Sequence, residues 1–149
     1  ISPDQKTFYL VSNDNGATGF ERLAKGGATQ ADKVSTPLRK GHMALMAYDL
    51  AADGTAKFRK VLKDYSPEDG PDGCVCDKDG NIYAAVRAES RPGICVYSPE
   101  GKELAYIKTE VPTNVGFGRG KESKTLYITA GKGLYRIQLN REGYQLPAK

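Results

Sequence analysis

A strand flanked by turn residues occurs three times in this 149-residue chain, near Ile1, near Cys74 and near Val115. The first copy runs Ile1-Ser2-Pro3-Asp4-Gln5-Lys6-Thr7-Phe8-Tyr9-Leu10-Val11. The second is Pro71-Asp72-Gly73-Cys74-Val75-Cys76-Asp77-Lys78-Asp79-Gly80-Asn81-Ile82-Tyr83-Ala84-Ala85, and the third opens on Pro112-Thr113-Asn114-Val115-Gly116-Phe117-Gly118 and continues to Leu126-Tyr127-Ile128-Thr129. Each reads as a short strand, a polar turn and a β-rich strand, with Tyr9, Tyr83 and Tyr127 in register. The later two tyrosines are 44 residues apart and the earlier two 74. Such spacings fit four-stranded blades of ~40–50 residues with an insertion in the first. The expected fold is therefore all-β, a β-propeller portion of about three four-stranded blades, with repeats at 1–65, 66–110 and 111–149.

Further strands are expected at Ala44 to Leu50, Lys57 to Leu62, Ile94 to Tyr97, Leu104 to Lys108 and Leu134 to Leu139. Asp53-Gly54, Asp79-Gly80 and Glu100-Gly101 separate neighbouring strands and read as tight hairpins, because glycine supplies the positive φ that such turns require. Between Asn13 and Lys40 the chain is rich in Gly, Ala, Lys and Thr and shows no period; it reads as a long insertion, a surface excursion or a lid. About three blades cannot close a ring, since propellers have at least four, and the flanking sheets would be left without partners. The ring is expected to be completed either by a further half of a six-bladed propeller or by a second copy of the chain.

Charge points to no polyanionic partner. The 22 Lys and Arg and 18 Asp and Glu residues are dispersed, so the net charge of +4 reads as solvated surface and nucleic-acid binding is not expected. No window approaches the ~18 consecutive apolar residues of a membrane helix, and no membrane partner is expected. The sequence carries no address and leaves its compartment open. Cys74, Cys76 and Cys95 are an odd set; Cys74 and Cys76 share one face of a strand and read as small buried hydrophobes. A zinc site would need about four Cys or His ligands, and the single histidine, His42, lies in another segment.

Pro71-Asp72-Gly73 followed by Cys-Val-Cys-Asp-Lys-Asp-Gly-Asn-Ile-Tyr-Ala-Ala resembles the gluconolactonase, senescence-marker-protein and luciferin-regenerating family of six-bladed propellers. The likeness extends from Ile1 to Tyr9, similar to the first strand of a middle blade, through Met43 to Leu50 and Pro112 to Gly118, to the closing Gly133-Leu134-Tyr135-Arg136-Ile137. The resemblance implies one divalent ion at the mouth of the central tunnel, calcium foremost, with zinc or manganese as alternatives. A Glu, two Asn and an Asp hold it in the family, and the Asp matches Asp72. By that resemblance Asp72 is both metal ligand and general base for attack of water on a lactone carbonyl.

Without the resemblance, Asp72 is a turn aspartate of a Pro-Asp-Gly β-turn. Asn114 and Thr113 stand at the matching place of the third repeat, where they support the ligand, touch the substrate or simply cap a turn. Asp4, Asp79 and the run Asn13-Asp14-Asn15 read as turn residues. The implied Glu and Asn ligands have no counterparts in this sequence. The expected function is a metal-dependent sugar-lactone hydrolase; the alternatives are a non-catalytic propeller that binds a cation, sugar or protein, and an organophosphate or aryl-ester hydrolase.

Overall fold

The computed structural model describes residues 1–13, 21–23, 31–33 and 42–146. Strands β1 (Thr7–Val11), β4 (Ala44–Leu50) and β5 (Ala56–Asp64) form one antiparallel sheet in the order β1-β4-β5. β6 (Pro71–Cys76), β7 (Ile82–Val86), β8 (Gly93–Tyr97) and β9 (Glu103–Lys108) form the middle sheet in chain order, and β10 (Pro112–Phe117), β11 (Thr125–Ala130) and β12 (Gly133–Gln138) form the third. The only helical residues described are a single 3-10 turn at Gly120–Glu122. The fold is an all-β meander of propeller blades.

Two details depart from the sequence reading. Within the region read as lacking any period, β2 (Glu21–Leu23) and β3 (Ala31–Lys33) pair as a short antiparallel ladder; three-residue strands are too short to leave an alternating pattern. The remainder of the insertion, and with it the lid reading, lies outside the described residues. The first repeat also begins differently: residues before Thr7 form a turn, and β1 pairs with β4 as β7 pairs with β8. The segment compared with the first strand of a blade is therefore a second strand, preceded by its turn.

A common turn recurs in the first two repeats, whereas β10 and β11 of the third are joined through the 3-10 turn. At Ser2–Gln5, Ala51–Gly54, Asp77–Gly80 and Ser98–Gly101 the fourth amide donates to the carbonyl of the first residue. The fourth residue has positive φ each time, 58° at Gln5, 86° at Gly54, 88° at Gly80 and 96° at Gly101. In three of the turns the first side chain closes the loop: the Ser2 Oγ accepts from the Thr7 amide at 2.9 Å, the Asp77 Oδ1 from Asn81 at 2.9 Å and the Ser98 Oγ from Lys102 at 3.3 Å. Asp77 is fully buried and also accepts from the Asp79 amide, the Asn81 side-chain amide and the Tyr83 hydroxyl. Four donors satisfy a carboxylate that would otherwise be costly to bury.

The middle sheet is apolar on both faces. Ile82, Ala84 and Val86 of β7, with Cys95 and Tyr97 of β8, pack toward the first sheet against Tyr9, Leu45 and Ala47. Tyr83 and Ala85, with Ile94 and Val96, pack toward the third sheet against Val115, Leu126, Ile128 and Ala130. Strand alternation thus divides one continuous apolar run between two interfaces. On the far face of the first sheet Phe8, Tyr48 and Phe58 form an edge-to-face ladder with ring centroids 6.1 and 5.5 Å apart, and Phe58 is 53% exposed.

Three expectations follow. Ile82→Ala, at a fully buried position, costs about 2–5 kcal/mol in urea unfolding. Gln5→Gly relieves a left-handed residue and raises stability by up to about 1 kcal/mol in the same measurement. Burial pushes the Cys76 thiol up to about 12 and raises those of Cys74 and Cys95; all three resist a thiol reagent at pH 8 in the native chain and react in guanidinium, because the thiolate is the reactive form.

Candidate metal and catalytic site at the inner strand ends

β6 and β10 each hydrogen-bond to one strand, β7 and β11, and are therefore edge strands of their sheets, packed against each other. Both begin with a fully buried proline, Pro71 and Pro112, which suits the first residue of a strand because no amide is needed there. Just after each proline the pairing register shifts, between Pro71 and Cys74 on β6 and between Pro112 and Asn114 on β10. These matched bulges turn out the residues singled out in the sequence: Asp72 at the first, Thr113 and Asn114 at the second, all exposed.

Glycine at position 73 lets the two bulges meet. A Cβ there would run into the side-chain amide of Asn114, so a larger residue would displace that amide. Asn114 Oδ1 accepts from the Val115 amide at 2.8 Å, and the hydroxyls of Thr113 and Thr129 pair at 2.8 Å. The structure therefore brings Asn114 to the neighbour of Asp72 and turns Thr113 toward β11.

Two further residues at this end carried no obvious sequence signal. Arg87, directly after β7, donates from a terminal guanidinium nitrogen to Asp72 Oδ2 at 3.2 Å, and its Nε lies 3.6 Å from Asp69 Oδ2. Asp69 Oδ1 is buried and, among the described residues, has no hydrogen-bond partner. The loop carrying Asp69 is tied down beside it: Glu68 accepts from the Ser90 amide at 2.8 Å and the Ser90 hydroxyl at 2.7 Å. The Arg87 amide also donates to the Gly70 carbonyl at 3.3 Å. Arginines and acids near a glycine are common on any surface, so only the folded register of β6 and β7 makes this constellation visible.

The other polar residues weighed in the sequence lie elsewhere. Asp4 accepts from the Ser2 hydroxyl and the Lys6 amide within its turn, and the Ser2 hydroxyl holds its carboxyl below the usual range. Asp79 pairs with Arg141. Asn13 follows β1, while Asp14 and Asn15 lie outside the described residues. The three cysteines are free thiols, and among the described residues no group of three or more His, Cys, Asp or Glu side chains could hold a metal.

The Ser90 amide, and then its hydroxyl, lower the Glu68 pKa from its ordinary 4.5. A depressed folded pKa gives stability that is present above the unfolded value and lost as pH falls through the folded one. Glu68→Gln is therefore expected to lower the thermal midpoint at pH 7, with the difference from the parent chain closing as both are acidified below pH 4.5.

The profile of the family described as SMP-30/Gluconolactonase/LRE-like region matches residues 1–132. A gluconolactonase from Zymomonas mobilis is 25% identical over 96% of this chain and 40% of its own length. A solved structure with a provisional gluconolactonase assignment is 31% identical over 69% of this chain and 34% of its own, with a TM-score of 0.59. A luciferin-regenerating enzyme is 20% identical over 96% of this chain and 45% of its own, with a TM-score of 0.65, a likeness that shows the fold. This chain spans less than half the length of each. With residues 1–132 matched and stacked antiparallel sheets beneath them, the chain belongs to the SMP-30/gluconolactonase/LRE-like family of β-propellers.

Proposed function

We propose that this chain carries the Asp72 side of a metal-dependent sugar-lactone hydrolase. The observation that supports it best is the pair of bulges, which expose Asp72 and Asn114 on neighbouring strands, with the Asn114 amide against Gly73. Relatives named gluconolactonases support the lactone as substrate class. The reading includes calcium as the cation, with zinc or manganese as alternatives.

The donors fit a hard cation in kind. Asp72 offers a carboxylate and Asn114 an amide, oxygen-bearing groups of the sort Ca²⁺ takes, while the Thr113 hydroxyl is paired with Thr129. They do not complete it in number, since Ca²⁺ takes about six to eight oxygens. The remaining donors are assigned to the blades that close the ring, supplied by more polypeptide or by a second copy. The sheet faces are consistent with such closure: Tyr9 and Tyr83 each point into the next sheet and are buried, whereas Tyr127, in the same register, is half-exposed.

When bound, the cation polarises the lactone carbonyl and stabilises the charge that develops on its oxygen. Asp72 supplies the proton transfers. Its carboxylate takes a proton from the attacking water as the new oxygen–carbon bond forms, and returns it to the ring oxygen as the carbon–oxygen bond of the lactone breaks. The product is the open-chain hydroxy acid, with all atoms of water and lactone retained. Asn114, held by its bond to the Val115 amide, is positioned to orient a substrate hydroxyl.

Native mass spectrometry with calcium, coupled to pH-stat assay of D-glucono-1,5-lactone, tests the reading. The expected result is a closed assembly that carries calcium and opens the lactone above its spontaneous rate, with Asp72→Asn reducing that rate by about 10²- to 10⁴-fold. An assembly that binds calcium and opens no lactone would leave a cation-binding propeller instead. An Asp72→Asn rate equal to the parent's removes Asp72 from the chemistry.

A further inference from the structure

The chain after β12 does not take the path that its register prescribes. Tyr48 pairs with Phe8 and Ile137 with Leu126, at matching places of the first and third sheets. Two residues on, the Leu50 amide donates to the Lys6 carbonyl at 2.8 Å and the Leu139 amide to the Lys124 carbonyl at 2.9 Å. Asn140-Arg141-Glu142-Gly143 therefore stands where Ala51-Ala52-Asp53-Gly54 stands, with glycine fourth in both. In the first sheet that turn closes and sends β5 outward along β4. In the third it stays open: Gly143 lacks the positive φ of Gly54, and its amide donates to the Ser123 carbonyl at 2.8 Å instead.

The segment turns inward and pairs with the free edge of β6. The Lys78 amide donates to the Glu142 carbonyl at 2.8 Å, the Tyr144 amide to the Cys76 carbonyl at 2.9 Å, and Asp77 faces Gly143 in an antiparallel bridge. Ion pairs of Lys78 with Glu142 and of Arg141 with Asp79 flank the bridge. Only glycine fits at 143, because a Cβ there would run into Phe117. Residues 141–145 thus tie the second sheet to the third at the turn end. The fit is imperfect: the Tyr144 hydroxyl is buried with no hydrogen-bond partner among the described residues, which is costly. The place the segment forgoes is open. Cys95 and Tyr97, on the strand beside β9, are 2% and 1% exposed, whereas Tyr135 and Ile137, at the same places of the third sheet with no fourth strand beside them, are 46% and 37% exposed.

We propose that residues 140–146 are a strand with two seats: the inner edge of β6, occupied in this structure, and the outer edge of β12, reached by closing the Asn140–Gly143 turn. In the second seat Gln145 and Leu146 come opposite Leu139 and Gln138, as Ala56 and Lys57 come opposite Leu50 and Asp49. Moving outward frees the Cys76–Lys78 edge for another strand and unties the second sheet from the third. Neither seat involves Asp72 or a cation.

Cysteine trapping in the 149-residue chain reads the outer seat. Gln138 and Leu146 are exposed here and become cross-strand neighbours there, so Gln138→Cys/Leu146→Cys is expected to close an intramolecular disulfide under oxidised glutathione. Adding Gly143→Asn puts a Cβ against Phe117 in the inner seat, while asparagine accepts the left-handed conformation of the closed turn. Trapping then speeds up by roughly tenfold, the scale of a backbone shift forced by overpacking. Tyr144→Phe removes the unpaired hydroxyl, favours the inner seat and slows trapping. Without the added cysteines, exchange of the Lys78 amide followed by NMR moves with trapping, faster in Gly143→Asn and slower in Tyr144→Phe.

Absence of the 138–146 disulfide, a disulfide found only between two chains, or unchanged Lys78 exchange in both variants overturns the two-seat reading. So does a trapping rate that fails to rise in Gly143→Asn and fall in Tyr144→Phe. Should Gly143→Asn not fold, Tyr144→Phe, which deletes one oxygen, decides alone.

Discussion

Burial of the middle sheet on both of its faces holds the described structure together. Residues on β7 are no more than about 4% exposed, alternating between the two interfaces. Neither outer sheet has this protection: the aromatic ladder of the first and the Leu134 side of the third meet solvent. The relative placement of β6 and β10 therefore depends on one sheet serving as the shared wall of two cores. Small residues make that wall thin. Ala84 and Ala85 face opposite interfaces at the centre of β7, fully buried, and let larger partners such as Tyr9 and Leu126 approach closely.

That wall determines what the strand ends can do. β6 and β10 meet because their sheets pack, and they meet at a glycine. Close approach at Gly73 puts the Asn114 amide where a side chain would stand, so the polar group against the residue that follows Asp72 belongs to the next blade. A candidate site built this way is assembled from consecutive sheets rather than from one loop. Its geometry is inherited from core packing, and a change in blade packing is also a change in the site.

Much of the fold was legible because its grammar is local. Asp53-Gly54, Asp79-Gly80 and Glu100-Gly101 state their turns outright, and alternating or continuous apolar runs state their strands. The turn at Asp4 was legible too, although Gln5 stands where the other copies carry glycine; what the sequence did not show is that the strand after it pairs as a second strand. Asp77 hid for another reason. Its four hydrogen bonds close a turn from a fully buried position, and nothing in the run Cys76-Asp77-Lys78-Asp79 distinguishes it from its exposed neighbour. Asp72 and Asn114 could be singled out by resemblance and repeat position. Arg87 and Asp69 could not, because they lie 18 residues apart and meet only through the β6–β7 register and the anchored loop before it.

Ion binding and sheet association are coupled through one piece of thermodynamics. A cation that binds oxygens from several blades favours whichever assembly brings those blades together, by linkage, and that assembly in turn raises affinity for the cation. Phe58 and Leu134 on the outer sheets meet water, so covering them would add an apolar contribution to any such association. At the strand ends Arg87 neutralises Asp72 through an ion pair at 3.2 Å. Removing that guanidinium would leave Asp69 and Asp72 as neighbouring negative charges without it between them. The same arginine thus ties the end of β7 to the loop before β6 and to β6 itself, a positive charge placed between two carboxylates.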